Sequence, residues 1–482
     1  MTNDPPVPRI RRRDRIKSLA TSTAIVIKQE VSKYYEAPSP SRQSSRSIST
    51  TGSNGSLMID PINDNLQCII FPTYAVLVTD DEQRQKWKVR LSGWTFALPG
   101  SSRVDRWMLA AGRTYGGLAS NSVEYAHFTN LFNQFRCQTM RGIEMMVGRT
   151  GSHLSDILNS GPNGRFEHLI FLDPEECADR IQHKYLELET RFVGLDILPQ
   201  IGYVDIIDRQ GVSVISDIDD TIKVTDILDG KDVILQNTFF RKAKEIPGMA
   251  NVYQSWAAEG VKVHYVSNSP WQVYPALQEF LKDNKFPQGS IHLRLVSAQS
   301  LILGKPGQHK LDTISALLED FPERKFVLVG DSGEIDPEIF AKIYHRYPGQ
   351  IVKIFIHDVT SERAMQADRQ TASRSESFYD GVKKLIAEEL GSFSSSSQTA
   401  HITTSSEKAM EAMLHPEIPE EQQQIMDPTI PLKTKLEQFE QRMYRVSGGM
   451  RYGVFSVFSL ASQLLLDPEM AEELHMMKSP LT

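Results

Sequence analysis

Asp217-Ile218-Asp219-Asp220-Thr221 places three carboxylates and a hydroxyl within five positions, directly after the apolar run Val212–Ile215. So much negative charge at the end of a buried run is unfavourable unless a cation is held there. Ser267-Asn268-Ser269 follows a second apolar run, Val261–Val266. Lys305 and Lys310 precede a helical stretch, and Gly330-Asp331-Ser332-Gly333-Glu334-Ile335-Asp336 follows Phe326–Val329. These residue types suit phosphoryl transfer. A carboxylate at Asp217 can attack phosphorus and form an aspartyl phosphate, dividing one difficult displacement into two easier ones. Asp219, two residues on, is placed to protonate the leaving oxygen and later to take a proton from water. Carboxylate and phosphate repel each other, so a divalent ion has to relieve the repulsion. Asp217 and Asp331 suit a hard, oxygen-preferring one such as Mg²⁺. Ser267 and Lys310 would hold the equatorial phosphoryl oxygens, where charge collects in the transition state.

The elements that must position these groups alternate regularly. Apolar runs at 212–215, 261–266, 291–295, 326–329 and 351–356 read as strands. The spacing at 248–259, 271–282, 311–318 and 337–347 reads as helices. Alternating βαβ order with nearly all-apolar strands predicts an α/β fold, a doubly wound parallel sheet covered on both faces. In such sheets ligands bind beyond the carboxyl ends of the strands, where the strand order reverses. Every chemistry-bearing motif falls at such an end or in the loop onto the next helix.

The order DxDxT, Ser, Lys, GDxxxxD resembles the haloacid dehalogenase-like phosphatases. The stretches Ser216–Lys223 (SDIDDTIK), His264–Gln272 (HYVSNSPWQ) and Phe326–Phe340 (FVLVGDSGEIDPEIF) are similar to the fungal actin-patch-type phosphatidate phosphatases, a Mg²⁺-dependent branch of that superfamily. The resemblance covers about residues 200–360, and Gly93-Trp94 in the preceding region is compatible with it. It implies dephosphorylation of phosphatidate to diacylglycerol at a membrane surface. By motif it makes Asp217 the nucleophile, Asp219 the acid/base and Asp331 a metal ligand. Thr221 belongs to the catalytic motif, and Asp336 is a second acid completing a metal set of Asp217, Asp219, Asp331 and Asp336. It leaves the motif lysine between Lys310 and Lys305, with Lys310 preferred. A phosphatase of another phosphorylated lipid or of a phosphoprotein, and a membrane or actin-cytoskeleton adaptor with an idle catalytic fold, stand as alternatives.

Other readings of the same residues weaken on inspection. A calcium loop beginning at Asp217 needs Gly at 222 and Glu at 228, where the chain has Ile222 and Leu228. Lys223 reads as a surface lysine, Trp271 and His309 as packing, and His264, inside an apolar strand, as a core histidine with its hydrogen bonds satisfied. The 45 residues between Thr221 and Ser267 leave little room for a large lid, which predicts an open site.

The rest of the chain frames this domain. Fifty-three Lys+Arg against 60 Asp+Glu give a formal charge of −7, which argues against a dedicated nucleic-acid binder. Three widely spaced cysteines predict a reducing compartment and exclude a disulfide framework. Residues 1–60 read as a disordered basic and Ser-rich arm, 61–205 as a β-rich domain and 206–362 as the catalytic domain. Residues 363–482 read as a Ser-rich linker and helical tail. Within the β-rich domain one helix is expected around Glu124–Val147. The cluster Arg9–Lys17, interrupted only by Asp14, suits anionic lipid or a solvated tail better than a mitochondrial presequence, which should be acid-poor where this stretch has Asp4, Asp14 and Glu30. Pro5–Pro8 offers a short SH3-type ligand, in keeping with actin-patch partners. Serines beside Arg42 and Arg46 are candidate phosphorylation sites. Tyr452–Leu466 has an apolar helical face suited to a bilayer interface or to packing on the protein's own core. The expectation is a cytoplasmic protein associated peripherally with membranes.

Overall fold

The computed structural model describes residues 66–373 and 433–478, apart from 99–102, 136, 152–155, 162, 176, 178–184, 231–232, 235 and 295–306. The basic arm, Pro5–Pro8, the serines beside Arg42 and Arg46, Lys305 and the Ser-rich stretch 392–406 lie outside the described residues. Contacts divide the chain into two units: Met1–Asp358 with Gly449–Thr482, and Val359–Gly448.

The first unit holds two sheets. The mixed one comprises β1 (Leu66–Ile70), β2 (Thr73–Thr79), β3 (Gln85–Ala97), β4 (Gln138–Thr139), β5 (Glu144–Arg149), β6 (Asp156–Asn159), β7 (Arg165–Leu172), β8 (Tyr185–Phe192) and β9 (Gln200–Ile207). Its main path is β1-β3-β2-β9-β8-β5-β6, with β4 and β7 also on β3. Among the described residues only the β2–β9 pairing of this sheet is parallel. Helices α1 (Arg103–Gly116) and α2 (Val123–Phe135) fall between β3 and β4. The single helix expected over Glu124–Val147 is therefore corrected: it stops at Phe135, and the second half becomes β5. Gly142, at φ 70°, turns the chain between them. In β5, Met145 and Val147 are buried while Glu144 is exposed, the alternation of a half-covered strand.

The second sheet contains β10 (Val212–Ser216), β11 (Lys262–Pro270), β12 (Ser290–Arg294), β13 (Lys325–Asp331), β14 (Ile351–His357) and β15 (Phe455–Phe458). It is parallel throughout, in the order β12-β11-β10-β13-β14-β15. The chain enters at β10, runs outward to β12, then returns to β13, so the order reverses between β10 and β13. Those two central strands are buried along their length except at Lys325, which is why their sequences read as unbroken apolar runs. The connecting helices are α3 (Met249–Ala258), α4 (Tyr274–Asp283), α5 (Gln308–Asp320) and α6 (Asp336–Arg346). The chain as a whole is thus α/β, with one mixed and one parallel sheet.

The second unit contains α7 (Lys435–Ser447), begun by a capping box between Thr434 and Glu437. Asp368 accepts bonds from the Lys435 and Leu436 amides at 2.8 and 3.0 Å. The first unit resumes with β15 and closes with α8 (Pro468–Lys478). The helix expected over Tyr452–Leu466 is corrected here, since Phe455–Phe458 pairs with β14 as a strand. Short apolar runs fit either period, and tertiary pairing decides between them. Phe458, Ala461 and Leu464 are buried in the core of the parallel sheet and Val454 is buried as well, which supports the packing reading of this stripe.

The two sheets meet through specific joints. Trp94 of β3 stacks on Trp271, just after β11, with ring centroids 5.8 Å apart. Gly93 is required beside it, because a Cβ there would lie 2.1 Å from the Phe166 ring. Arg324, buried, donates to the carbonyls of Asp208 and Val212, each at 2.7 Å, and so fixes the entry into β10. Among the described residues no helix is long and apolar enough to cross a membrane.

Candidate active site

The motifs converge at the carboxyl ends of β10 and β13. Asp217 follows β10, its amide donating to Val329 O at 2.8 Å. Lys310 stands in the first turn of α5, and its ammonium reaches Asp217 Oδ1 at 2.7 Å, Asp336 Oδ1 at 2.6 Å and Glu334 Oε2 at 3.2 Å. Lys310 is 1% exposed. Thr221 donates to Asp217 Oδ2 at 3.1 Å, so both carboxylate oxygens of Asp217 are held. Asp331 ends β13, and its Oδ1 accepts from the amides of Gly333 and Glu334 at 2.7 and 3.0 Å. The backbone of Gly330 must remain bare, since a Cβ would lie 2.5 Å from Asp336 Oδ2.

Carboxylate oxygens of Asp217, Asp331 and Asp336, one from each, lie within 4.8 Å of one another. Asp331 Oδ2 and Asp336 Oδ2 are buried and have no hydrogen-bond partner. An all-oxygen donor set with unsatisfied, buried carboxylate oxygens fits a hard divalent cation. The electrostatics agree. Burial first, then the neighbouring carboxylates, raise Asp217 and Asp336 above the usual carboxylate range against the pull of Lys310, and Asp331 is pushed up to about 8. Burial would lower the Lys310 ammonium, but Asp217, Asp336 and Glu334 hold it well above its ordinary value. One ammonium among four acids leaves an excess of negative charge that protons or a cation must balance.

The Asp219 carboxylate faces a different set of partners. Its Oδ1 accepts from Lys223 and Thr225, each at 2.7 Å, and its Oδ2 from Ser269 at 2.8 Å and Ser267 at 3.3 Å. Burial would raise it, yet Lys223, Thr225 and Ser269 together hold it below the usual range. The sequence grouped the carboxylates of Asp217, Asp219, Asp331 and Asp336; the structure brings together those of Asp217, Asp331 and Asp336 and turns that of Asp219 away. Lys223, read from sequence as a surface lysine, is half-buried and ion-paired. Asp220, in the left-handed region at φ 54°, accepts from the amides of Thr225, Asp226 and Ile227, each at 2.7 Å, and shapes the turn that carries Thr225. His357 contacts Asp220 O at 2.6 Å and ties this turn to β14.

Several site residues carried no assigned role in the sequence. Ser269 lies closer to Asp219 than Ser267 does, and Ser267 Oγ instead accepts from the Ser269 amide at 2.9 Å. Glu334 accepts from Asn268 at 3.0 Å as well as from Lys310, joining the loops after β11 and β13. Both sat inside quoted motifs, and the signal was their position at a strand end. Trp271 is packing, as expected. His264 bonds Ser290 through Nδ1 at 2.7 Å, but its buried Nε2 has no partner, which corrects the reading of a fully satisfied histidine. The open site is corrected in part. The segment after Thr221 is short, but α2 arrives from outside that interval and borders Asp219 with His127 and Leu131.

Residues 212–358 match the family model described as phosphatidate phosphatase APP1, catalytic domain. The chain is 35% identical over 187 residues to phosphatidate phosphatase APP1 of Saccharomyces cerevisiae, covering 36% of this chain and 30% of that protein. It is 34% identical over 172 residues to an uncharacterized protein of Schizosaccharomyces pombe, covering 35% of this chain and 28% of that one. The chain thus spans under a third of each of these relatives. A sialyltransferase from Photobacterium damsela aligns at 9% identity with a TM-score of 0.19, covering 53% of this chain and 46% of that one, and carries no argument about fold or function. Residues 212–358, the segment that holds Asp217, Ser267, Lys310, Asp331 and Asp336, are thus similar to the catalytic domain of the APP1-type phosphatidate phosphatases.

Proposed function

We propose that the chain is a Mg²⁺-dependent phosphatidate phosphatase with a haloacid dehalogenase-like catalytic domain, working peripherally at a cytoplasmic membrane face. The observation that carries this reading is the cluster of Asp217, Asp331 and Asp336 around buried Lys310, with two carboxylate oxygens left unsatisfied. The family match to a phosphatidate phosphatase catalytic domain supports the substrate. Asp217, Asp331 and Asp336 would hold Mg²⁺. Bound there, it supplies the positive charge that lets an anionic phosphate approach anionic carboxylates.

Asp217, its carboxylate oriented by Thr221 and Lys310, attacks phosphorus; the new O–P bond forms as the bond to the alcohol oxygen breaks. Lys310 and the Ser267 loop steady the phosphoryl oxygens. The alcohol oxygen takes its proton from Asp219, and diacylglycerol leaves. Water then attacks the aspartyl phosphate while Asp219 accepts its proton, freeing phosphate and restoring Asp217. Before substrate enters, Asp219 is a carboxylate paired with Lys223, a state suited to the second step. Its work as an acid therefore requires substrate entry to loosen that pair and admit a proton.

Phosphate release from phosphatidate in mixed micelles tests the reading, comparing wild type with Asp217→Asn, each with Mg²⁺ and with EDTA. Release should need both Mg²⁺ and Asp217. Cleavage of a small activated phosphate ester with phosphatidate untouched would keep the chemistry and transfer the substrate to another phosphorylated lipid or a phosphoprotein. Release that persists in Asp217→Asn would end the mechanism.

A further inference from the structure

A cleft of about 630 Å³ opens between the two sheets. Strands β3 and β7 line it with Arg90, Arg165 and His168, and β12 and α5 line it with His292 and His309. All five are half-buried or exposed, so they present polar surface to it. Among the described residues of the lining, Glu167 is the one acid.

That acid is a partial counterweight. It accepts from Arg165 Nη2 at 2.7 Å, but its side chain is 69% exposed, where water screens the pair. Arg90 shares Asp320 with Lys88, two cations for one carboxylate. The field in the cleft is accordingly positive. His292 is lowered to about 3 by burial and then by His309, Arg165 and Arg90. His309 is lowered to about 4 by burial and then by Arg165, with Arg294 and Lys310 adding to it against a backbone bond to His292. Positive charge crowds this cleft as negative charge crowds the catalytic acids.

Arg165 is held ready, its guanidinium 5.5 Å from the centroid of the Trp271 ring. A fixed guanidinium and imidazoles from separate elements suit a tetrahedral dianion, whose oxygens meet donors from several directions. The two oxygens of a carboxylate lie in one plane and meet fewer. The volume is that of a small-molecule site, larger than a bare ion fills. Leu169, 45% exposed, adds an apolar contact for an organic substituent. We infer that the cleft is a second anion site, separate from the catalytic cluster, and that it takes an organic phosphate between Arg165 and the His292 and His309 rings. A lipid headgroup and a soluble phosphate ester share this chemistry. His309 directly precedes Lys310, so the two sites draw on one turn of α5.

The test uses the full chain in EDTA, which withholds the metal of the proposed reaction and leaves the acids around Lys310 to repel an anion. Titration calorimetry with glycerol 3-phosphate, and with acetate at the same ionic strength, reads the soluble arm. Sedimentation with phosphatidylcholine vesicles, with and without phosphatidate, reads the membrane arm. At least one arm should show saturable, phosphate-dependent binding, and Arg165→Gln and Thr313→Glu should each weaken it by about tenfold or more. Thr313 lines the cleft from α5, so Thr313→Glu adds a carboxylate there and leaves the Arg165 contact with Trp271 alone. Asp331→Asn should not alter the affinity. Binding in solution names a soluble ester as the ligand, and binding confined to phosphatidate vesicles names a headgroup. Silence in both arms, binding unmoved by both cleft variants, or acetate held as tightly as the phosphate would overturn the site. So would an affinity that shifts in Asp331→Asn, which would place the anion at the catalytic acids. No turnover is read, so such a failure leaves the phosphatase reading standing.

Discussion

Helix α5 carries a buried ion cluster at each end, and the two are built on opposite balances. In its first turn Lys310 is a single ammonium facing Asp217, Asp336 and Glu334. At its last residue Asp320 is a single carboxylate facing Lys88 at 2.5 Å, Arg90 at 2.5 and 3.0 Å and the Tyr74 hydroxyl at 2.7 Å. Each charge opposes the helix dipole at its position, so each needs partners from outside the helix. Burial acts first at both ends, but the outcomes differ. The acids around Lys310 are driven up by one another, while Arg90, Lys88 and Tyr74 hold Asp320 below the usual carboxylate range. An over-supplied cluster with unsatisfied oxygens is a place made for a ligand. A satisfied one is a joint, here between the mixed and the parallel sheet.

The largest effect should come from breaking the first cluster. Asp331→Asn keeps the Oδ1 that accepts from Gly333 and Glu334 but removes one of the crowded charges. Wild type should gain about 2.7 kcal/mol at a Mg²⁺ concentration a hundred times its Kd, seen as a rise of several degrees in Tm. The variant should lose that rise, lose roughly 100-fold or more of its phosphate release, and in EDTA be no less stable than wild type. A wild-type Tm indifferent to Mg²⁺, or a variant that melts earlier in EDTA, would show that the acids at Lys310 are as structural as those at the other end.

Asp320→Asn should do the reverse. It strands Lys88 and Arg90, and a broken buried pair costs about 3–5 kcal/mol; with Arg90 43% exposed the loss here should be nearer 2 kcal/mol. The Mg²⁺-dependent rise in Tm should survive. Because the folded pKa of Asp320 is depressed, its contribution is complete above the unfolded value of about 3.9 and is lost as pH falls through the lower folded value. Wild type and variant should therefore differ most at neutral pH and converge in acid. Urea melts at several pH values check this, and a gap that widens on acidification would contradict the assignment.

The same contrast explains what was legible in the sequence. Strands β10, β11, β13 and β14 and their helices could be read because both faces are buried and each ends at a breaker or a charge. Motif position at strand ends then brought Asp217, Ser267, Lys310 and Asp331 together on paper. The Asp320 joint was not legible: Tyr74, Lys88 and Arg90 are more than 200 residues away in the chain, and nothing local marks an acid at a helix end as buried. His127 and Leu131 were hidden for the same reason, since only the docking of α2 on Phe240 brings them to Asp219. The segment Phe455–Phe458 had an ambiguous period, and the open edge of β14 decided it. The separate place of the Asp219 carboxylate was not legible either, because proximity in sequence to Asp217 says nothing about which way a side chain leaves a turn.

The smallest test sharpens the comparison with one matched hydrogen bond at each end. Tyr74 donates to Asp320 at 2.7 Å, and Thr221 donates to Asp217 at 3.1 Å. Tyr74→Phe removes one bond from a carboxylate that keeps two cations, so stability should fall by about 1 kcal/mol with phosphate release unaltered. Thr221→Val preserves shape and removes one bond from a carboxylate that already carries excess charge around it. Its effect on stability should lie within about 1 kcal/mol, but Asp217 loses a fixed orientation and kcat should drop severalfold with KM little changed. The informative quantity is the ratio of the two losses, activity over stability, for each variant. It should be large at Thr221 and near zero at Tyr74, because a hydroxyl aimed at a nucleophile positions an attack, whereas one aimed at a joint only holds two sheets together.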